Sequence, residues 1–572
     1  MRGMNREPAF VRYAWVLFLL TILGFLVVYP VTMLSLGALS DDSPLAAGGE
    51  AAYSLRAFVA VLADPDVLHA TWNTLLVCAG GTVFAVAIGL FFSWVTARTN
   101  TPFARIIEAV SVMPLLIPPL VAAVAWSILG SPQTGLINVL LAGLGLDWRV
   151  NFYSRWGIVV IFAIYYAPYV YMFTSSAMKN MDPSLEEAAA ISGVSTFKTI
   201  FQITLPLILP AIIAGTMLAF VVMLGIYGIP TVLGTPAKIS VLTTYIYELI
   251  SSAPPHFSKA AATSVILIAV TALAVLAQQR VLKNKSFVTV AGKAFRPRLI
   301  DLGRWKYLTL ALSALYLLVA VVLPTFALLM GSFRNFLYIP DLAAIFDTSM
   351  YSLNHFRRLF SNSLTMVSLA NTLKIGVITA LVGGAISFAI AYTVYRTRLA
   401  LRGLIDVIST LPVAIPGLVI GVAYIWAWID LPGGIYGSVW ILALAFVARF
   451  IPDTVKSLST SLLQVHRELE EASLICGRGR LHTIRKIILP LISPGLVASM
   501  SLLFILSIRE LGSSLFLYSS KSLPMSVLLV NLYEGGDFGV TAAFSVVQTL
   551  ILVAVVLFTT WLGRKTSIAN KL

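Results

Sequence analysis

Twelve apolar runs, each longer than twenty residues, set the terms on which this chain folds. In the first half they cover roughly 14–37, 72–96, 106–130, 156–179, 203–228 and 260–282. In the second half they cover roughly 307–331, 371–395, 404–429, 435–456, 488–512 and 539–563. A helix of about 20 apolar residues spans the hydrocarbon core of a bilayer. Hydrophobic residues are 59% of the chain and charged residues 11%, where soluble domains average about 45–50% and 25%. A soluble fold of 572 residues has too little interior for that much apolar surface. The expectation is an all-α, polytopic membrane protein with about 12 transmembrane helices. The first run follows Arg2, Arg6 and Arg12 and is too long for a signal-peptide core, so it reads as a spanning helix that stays.

The net charge of +15 raises the question of nucleic acid. Its distribution answers it. With the N-terminus in the cytoplasm and sides alternating, most of the 39 Lys and Arg fall on the cytoplasmic side. The segment 280–306 alone carries eight. That is the positive-inside pattern, and no basic stripe stands apart from it, so no nucleic-acid partner is expected. Both termini are expected in the cytoplasm. The two cysteines, Cys78 and Cys476, offer no disulfide framework and no metal-ligand spacing, and no metal site is expected.

The chain is an internal repeat. "YSLRAF" at 53–58 returns as "YSLNHF" at 351–356, and "NTL" at 73–75 as "NTL" at 371–373. Pro114 and Pro118 return as Pro412 and Pro416, all at an offset of 298. Glu187, Gly193 and Pro206 return as Glu471, Gly477 and Pro490 at an offset of 284. The 14-residue difference lies in a longer outside loop of the first copy. "SVLTTYIYE" at 240–248 pairs with "SVLLVNLYE" at 526–534 at an offset of 286. Six spans per copy place both halves in the same orientation, as parallel repeats with the path between them. The expected division is residues 1–290 for the first six-helix half, 291–306 for a basic cytoplasmic linker, and 307–572 for the second half.

Between the apolar runs lie two polar segments, "EEAAAISGVSTFKTIFQITLP" at 186–206 and "EEASLICGRGRLHTIRKIILP" at 470–490. Asp182 suits an N-cap and Pro183 a first helical position. Glu186 and Glu187 favour the positive end of the helix dipole. Gly193 suits a left-handed C-terminal cap. The second copy has His466-Arg467 where the first has Asp182-Pro183. A short helix on the cytoplasmic face suits docking in a partner's groove. Two copies imply two grooves, hence a two-fold partner.

Glu187-Ala188-Ala189, Gly193 and Ile203-Thr204-Leu205-Pro206 resemble the cytoplasmic-loop signature of permeases in binding-protein-dependent ABC importers. Glu471-Ala472-Ser473, Gly477 and Ile487-Ile488-Leu489-Pro490 match it with one departure, Ser473 for the second alanine. The resemblance covers nearly the whole chain and implies a type I importer permease fold. The fused form is most similar to the ferric-iron permease subfamily; fused thiamine and 2-aminoethylphosphonate permeases look alike at this level. The resemblance implies coupling helices seated on two copies of an ABC ATPase subunit, at Glu186, Glu187, Ala188, Ala189, Gly193, Leu205, Pro206, Glu470, Glu471, Ala472, Gly477, Leu489 and Pro490. It also implies an extracytoplasmic solute-binding protein and a multi-pass place in the cell (inner) membrane. The chain carries no G-x-x-x-x-G-K-[ST] loop. No catalytic residue and no cofactor are therefore expected in it, with ATP and Mg2+ belonging to the separate subunit. A secondary transporter is the rival class; it would leave the duplicated cytoplasmic motif unexplained.

Arg509-Glu510 is an unusual charged pair near the outer end of the eleventh span. It reads either as a contact to solute in the path or as a structural or interfacial ion pair, since such charges are costly in a bilayer. Pro114, Pro118, Pro412 and Pro416 are expected to kink or break the third and ninth spans, as hinges lining the path or as packing kinks. Glu248 and Glu534 read as contacts to the docking binding protein or as caps of surface helices.

Overall fold

The computed structural model describes residues 9–40, 53–182, 184–283, 299–429 and 434–569. The linker expected at 291–306 lies outside the described residues up to 298, as does Pro183. The described residues are helical, with only three isolated bridges between extended residues. Nine helices among them are long and apolar enough to cross a membrane: Tyr13–Leu39, Pro65–Arg98, Arg155–Asn180, Ile200–Leu224, Phe257–Val281, Trp305–Phe333, Ser363–Arg396, Arg480–Arg509 and Phe538–Gly563. Two bent pairs bring the total to eleven. The remaining expected span is the 26-residue helix Val439–Gln464, which carries Arg449, Asp453 and Lys456 among its apolar residues.

The repeat is visible in how helices start. Asp64 and Asn362, 298 apart, each accept the N–H two residues on, at 2.8 and 3.0 Å. Ser154 and Ser438, 284 apart, cap the fourth and tenth spans through Gly157 and Trp440, at 3.0 and 3.2 Å. Each cap satisfies a donor that a helix N-terminus leaves without a partner. Close packing inside the first half depends on small residues. A Cβ at Gly89 would stand 2.7 Å from Val170 Cβ, and one at Gly81 would stand 2.6 Å from Phe162 Cβ.

Prolines knit the halves together. A proline inside a helix leaves the carbonyl four residues earlier without its donor. Pro30, Pro168 and Pro324 do this to Leu26, Ile164 and Ala320. In each case a tyrosine from the opposite half supplies the missing hydrogen bond. Tyr424 donates to Leu26 at 2.9 Å, Tyr316 to Ile164 at 2.9 Å and Tyr165 to Ala320 at 3.1 Å. Leu26 and Ala320 are the middle residues of two π-helical turns, Gly24–Val28 and Leu318–Val322. The first helix of each half therefore packs across the other. Trp15 Nε1 reaches Thr393 at 3.0 Å, and Gly37 lies flat on the Trp426 ring.

Candidate coupling and translocation site

The first polar segment forms the helix Ser184–Ile191 and the second the helix Arg467–Ile475. Asp182 accepts the Ser184 N–H at 2.9 Å, and its hydrogen bonds to Ser184 hold its carboxyl below the usual carboxylate range. His466 makes no side-chain cap bond. Both helices stop at a left-handed glycine, Gly193 at φ 74 and Gly477 at φ 76. There Val194 N–H reaches back to Ala189 O at 3.0 Å and Arg478 N–H to Ser473 O at 3.1 Å. A Cβ at either glycine would meet nothing within 4 Å, so backbone conformation and not space selects glycine. Leu205-Pro206 and Leu489-Pro490 are the first residues after the π turns Ile200–Thr204 and Ile484–Ile488, inside continuous helices.

The two adjacent glutamates of each segment separate. Glu187 and Glu471 are exposed, as are Ala188 and Ala472. Glu186 turns inward to Arg98 at 3.5 Å and accepts the Thr204 hydroxyl at 2.6 Å. Glu470 turns inward to Arg396 at 3.5 Å and accepts the Tyr392 hydroxyl at 3.3 Å. The arginine side chains are 0% and 2% exposed. The Ser473 departure has a local reason: its buried hydroxyl bonds to Thr483 Oγ1 at 2.8 Å, where Ala189 is buried without one.

Further along, the third and ninth spans break at the prolines. Ala104–Leu116 meets Pro119–Gly130 at 95°, and Arg402–Ala414 meets Gly417–Trp428 at 113°. Pro114, Pro118, Pro412 and Pro416 are all buried. Against the second break lies Glu510, 8% exposed. Its partner is Arg449 of the tenth span at 3.0 Å, and its Oε1 also accepts the N–H and hydroxyl of Ser513 at 3.1 Å. A Cβ at Gly417 would stand 2.6 Å from Glu510 Oε1. Arg509 ends its helix, and its buried Nε has no hydrogen-bond partner among the described residues. Tyr166 and Tyr169 of the first half stack at 5.9 Å and lie within electrostatic reach of Arg509 and Arg449. The Tyr166 hydroxyl is buried and has no hydrogen-bond partner among the described residues. Sequence reading missed Arg449, Arg98 and Arg396. The last two are the same residue in the two copies, at the offset of 298, and that was the available signal.

Glu248 and Glu534 are both exposed. The offset of 286 that paired them is one helical turn out of register with the fold. Leu242–Ser251 and Met525–Glu534 are the matching helices, 283 apart. Thr74 and Thr372 receive their first N–H groups, from Leu242 and Met525, at 2.8 Å each. Glu248 therefore lies mid-helix and Glu534 ends its helix. Among the described residues there is no group of three or more His, Cys, Asp or Glu placed to hold a metal ion.

The bundle of spans is duplicated, with one polar helix between the fourth and fifth spans and its match between the tenth and eleventh, the arrangement of a membrane permease built from two like halves. The model of the family described as "Binding-protein-dependent transport system inner membrane component" matches residues 85–285 and 383–567, and the chain belongs to that family. It is a multi-pass inner membrane permease of ABC importers with the permease domain present twice. It is 25% identical over 554 residues to the ferric transport system permease protein FbpB of Actinobacillus pleuropneumoniae, covering 96% of this chain and 78% of that one. It is 33% identical over 221 residues to the molybdenum transport system permease protein ModB of Escherichia coli (strain K12), covering 38% of this chain and 93% of that one. Among solved structures, a bacterial alginate ABC transporter with its alginate-bound periplasmic protein matches 49% of this chain and 100% of its own, at 22% identity and a TM-score of 0.41.

Proposed function

We propose that this chain carries ferric iron across the inner membrane, driven by two copies of a separate ATPase subunit seated on Ser184–Ile191 and Arg467–Ile475. The observation that carries the coupling reading is the matched pair of short helices, which present Glu187 and Glu471 exposed at equivalent positions and end at a left-handed glycine. Support for iron comes from likeness over 96% of the chain to a ferric transport system permease. An extracytoplasmic binding protein delivers the solute, Glu248 and Glu534 belong to its docking face, and both termini are cytoplasmic. Closure of the ATPase dimer draws the two helices together and exchanges inward-facing for outward-facing states as a rigid-body transition.

The path runs between the halves, past the proline breaks at Pro118 and Pro416 and past Arg509, Tyr166 and Tyr169. Ferric iron is a hard cation that favours oxygen donors, and the tyrosine hydroxyls and the exposed Asp453 are of that kind. Glu510 is committed to Arg449 and acts by holding the second break in shape. The test of coupling is co-purification of the ATPase subunit with Glu187→Arg/Glu471→Arg and with Gly193→Pro/Gly477→Pro. Loss of the subunit from correctly inserted variants is expected. Unchanged co-purification of both variants contradicts the reading.

A further inference from the structure

We infer that Glu186 and Glu470 are the inner halves of two buried locks, with Arg98 and Arg396, which carry displacement of each coupling helix into the second and eighth spans. The inference rests on the coupling reading above and divides each glutamate pair into an outward residue that meets the ATPase and an inward one that transmits.

Each arginine joins three elements. Arg98 is the last residue of Pro65–Arg98, and Arg396 is the last residue of Ser363–Arg396. Both reach the first turn of the coupling helix through the glutamate, at 3.5 Å. Both also donate to the end of the preceding span: Arg98 to Met181 O at 3.3 Å, and Arg396 to Leu462 O and Val465 O. Met181 and Val465 are the C-caps of Arg155–Asn180 and Val439–Gln464. A coupling helix that moves must therefore move the ends of two spans or break a buried ion pair.

What the two copies keep is the pair itself. The arginines are 298 apart and the glutamates 284 apart, so the lock survives a change of spacing in the chain between them. The second partners differ: Thr204 on Glu186, Tyr392 on Glu470. The linker enters beside the first lock, where Ile300 N–H donates to Arg98 O at 2.8 Å and Asn100 N–H to Ile300 O at 3.1 Å. Glutamates placed to meet a partner would not be held against arginines that are 0% and 2% exposed.

The test uses the chain together with the ATPase subunit that co-purifies with it, and the isosteric variant Glu186→Gln/Glu470→Gln. Co-purification and ATP hydrolysis are expected to stay within about twofold, while solute uptake falls by about tenfold or more, a drop within the usual range of coupling between sites. Each single variant, which leaves one lock intact, is expected to fall between the wild type and the double variant. Unchanged uptake overturns the inference, and so does loss of the ATPase from the variant, which would make these glutamates docking contacts. Absence of any ATPase from the wild-type preparation would instead overturn the coupling reading. Should the double variant insert poorly, hydrogen exchange in the single variant Glu186→Gln decides. Amides 184–194 are expected to exchange faster than in the wild type, with the ends of the second and fourth spans following them. Unchanged exchange at these amides overturns the inference.

Discussion

The Tyr165 hydroxyl, on the fourth span of the first half, donates at 3.1 Å to the Ala320 carbonyl, which Pro324 deprives of its helical donor. A buried acceptor left unpaired costs about 1–3 kcal/mol, so Tyr165→Phe is expected to destabilise the assembled bundle by about that much. Pro324→Ala returns an N–H to the same carbonyl. In that background Tyr165→Phe should cost less, and a double-mutant cycle on thermal unfolding in detergent reads the coupling.

Half-buried Arg449 and buried Glu510 form an ion pair beside a proline break. Removing Glu510 leaves the Arg449 charge without compensation; the loss for fully buried pairs is about 3–5 kcal/mol, and the partial exposure of Arg449 sets it as an upper bound here. Glu510→Gln is therefore expected to lower the unfolding temperature strongly. Arg449→Met/Glu510→Met removes both charges and is expected to cost less than Glu510→Gln alone, by the same measurement.

Cys476, the C-cap of the helix Arg467–Ile475, is exposed, and Cys78 is buried. A maleimide is expected to label the purified chain at Cys476, read by peptide mass. Bound ATPase subunits should slow that labelling, and Cys476→Ser should abolish it.

Asp64, just ahead of the second span, is held below the usual carboxylate range first by its bond to Lys259, with the Asp66 N–H and the Tyr245 hydroxyl adding to it. A carboxylate with a depressed folded value contributes stability that is present above its unfolded value of about 3.9. That contribution is lost as pH falls through the folded value. Unfolding temperature should therefore drop as pH is lowered from about 5 to 3, and Asp64→Asn should flatten the slope.

Much of this was legible in the sequence because membrane spans and repeats are local patterns. Twelve runs of apolar residues, two short polar helices with their glycine stops and four helix-breaking prolines needed only spacing and residue type. Contacts between distant elements were not legible. Glu510 stands beside Arg509 in the chain, yet its partner is Arg449, 61 residues earlier. Adjacent helix residues point about 100° apart, so adjacency carries no pairing information. The offset of 286 for the outer segments followed letter similarity, while Thr74 and Thr372 fix the register at 283 through backbone N–H groups that no side-chain comparison records. The inward turn of Glu186 was hidden for the same reason: Arg98 lies far away in sequence.

The most direct test of the account is uptake of radiolabelled ferric iron by host cells that lack this chain and carry either the wild-type chain or Glu187→Arg/Glu471→Arg at equal membrane abundance. Uptake is expected to be lost without the chain, restored by the wild type and not restored by the double variant. Ferric iron uptake that is unaffected by loss of the chain, or that the double variant restores in full, would contradict that expectation.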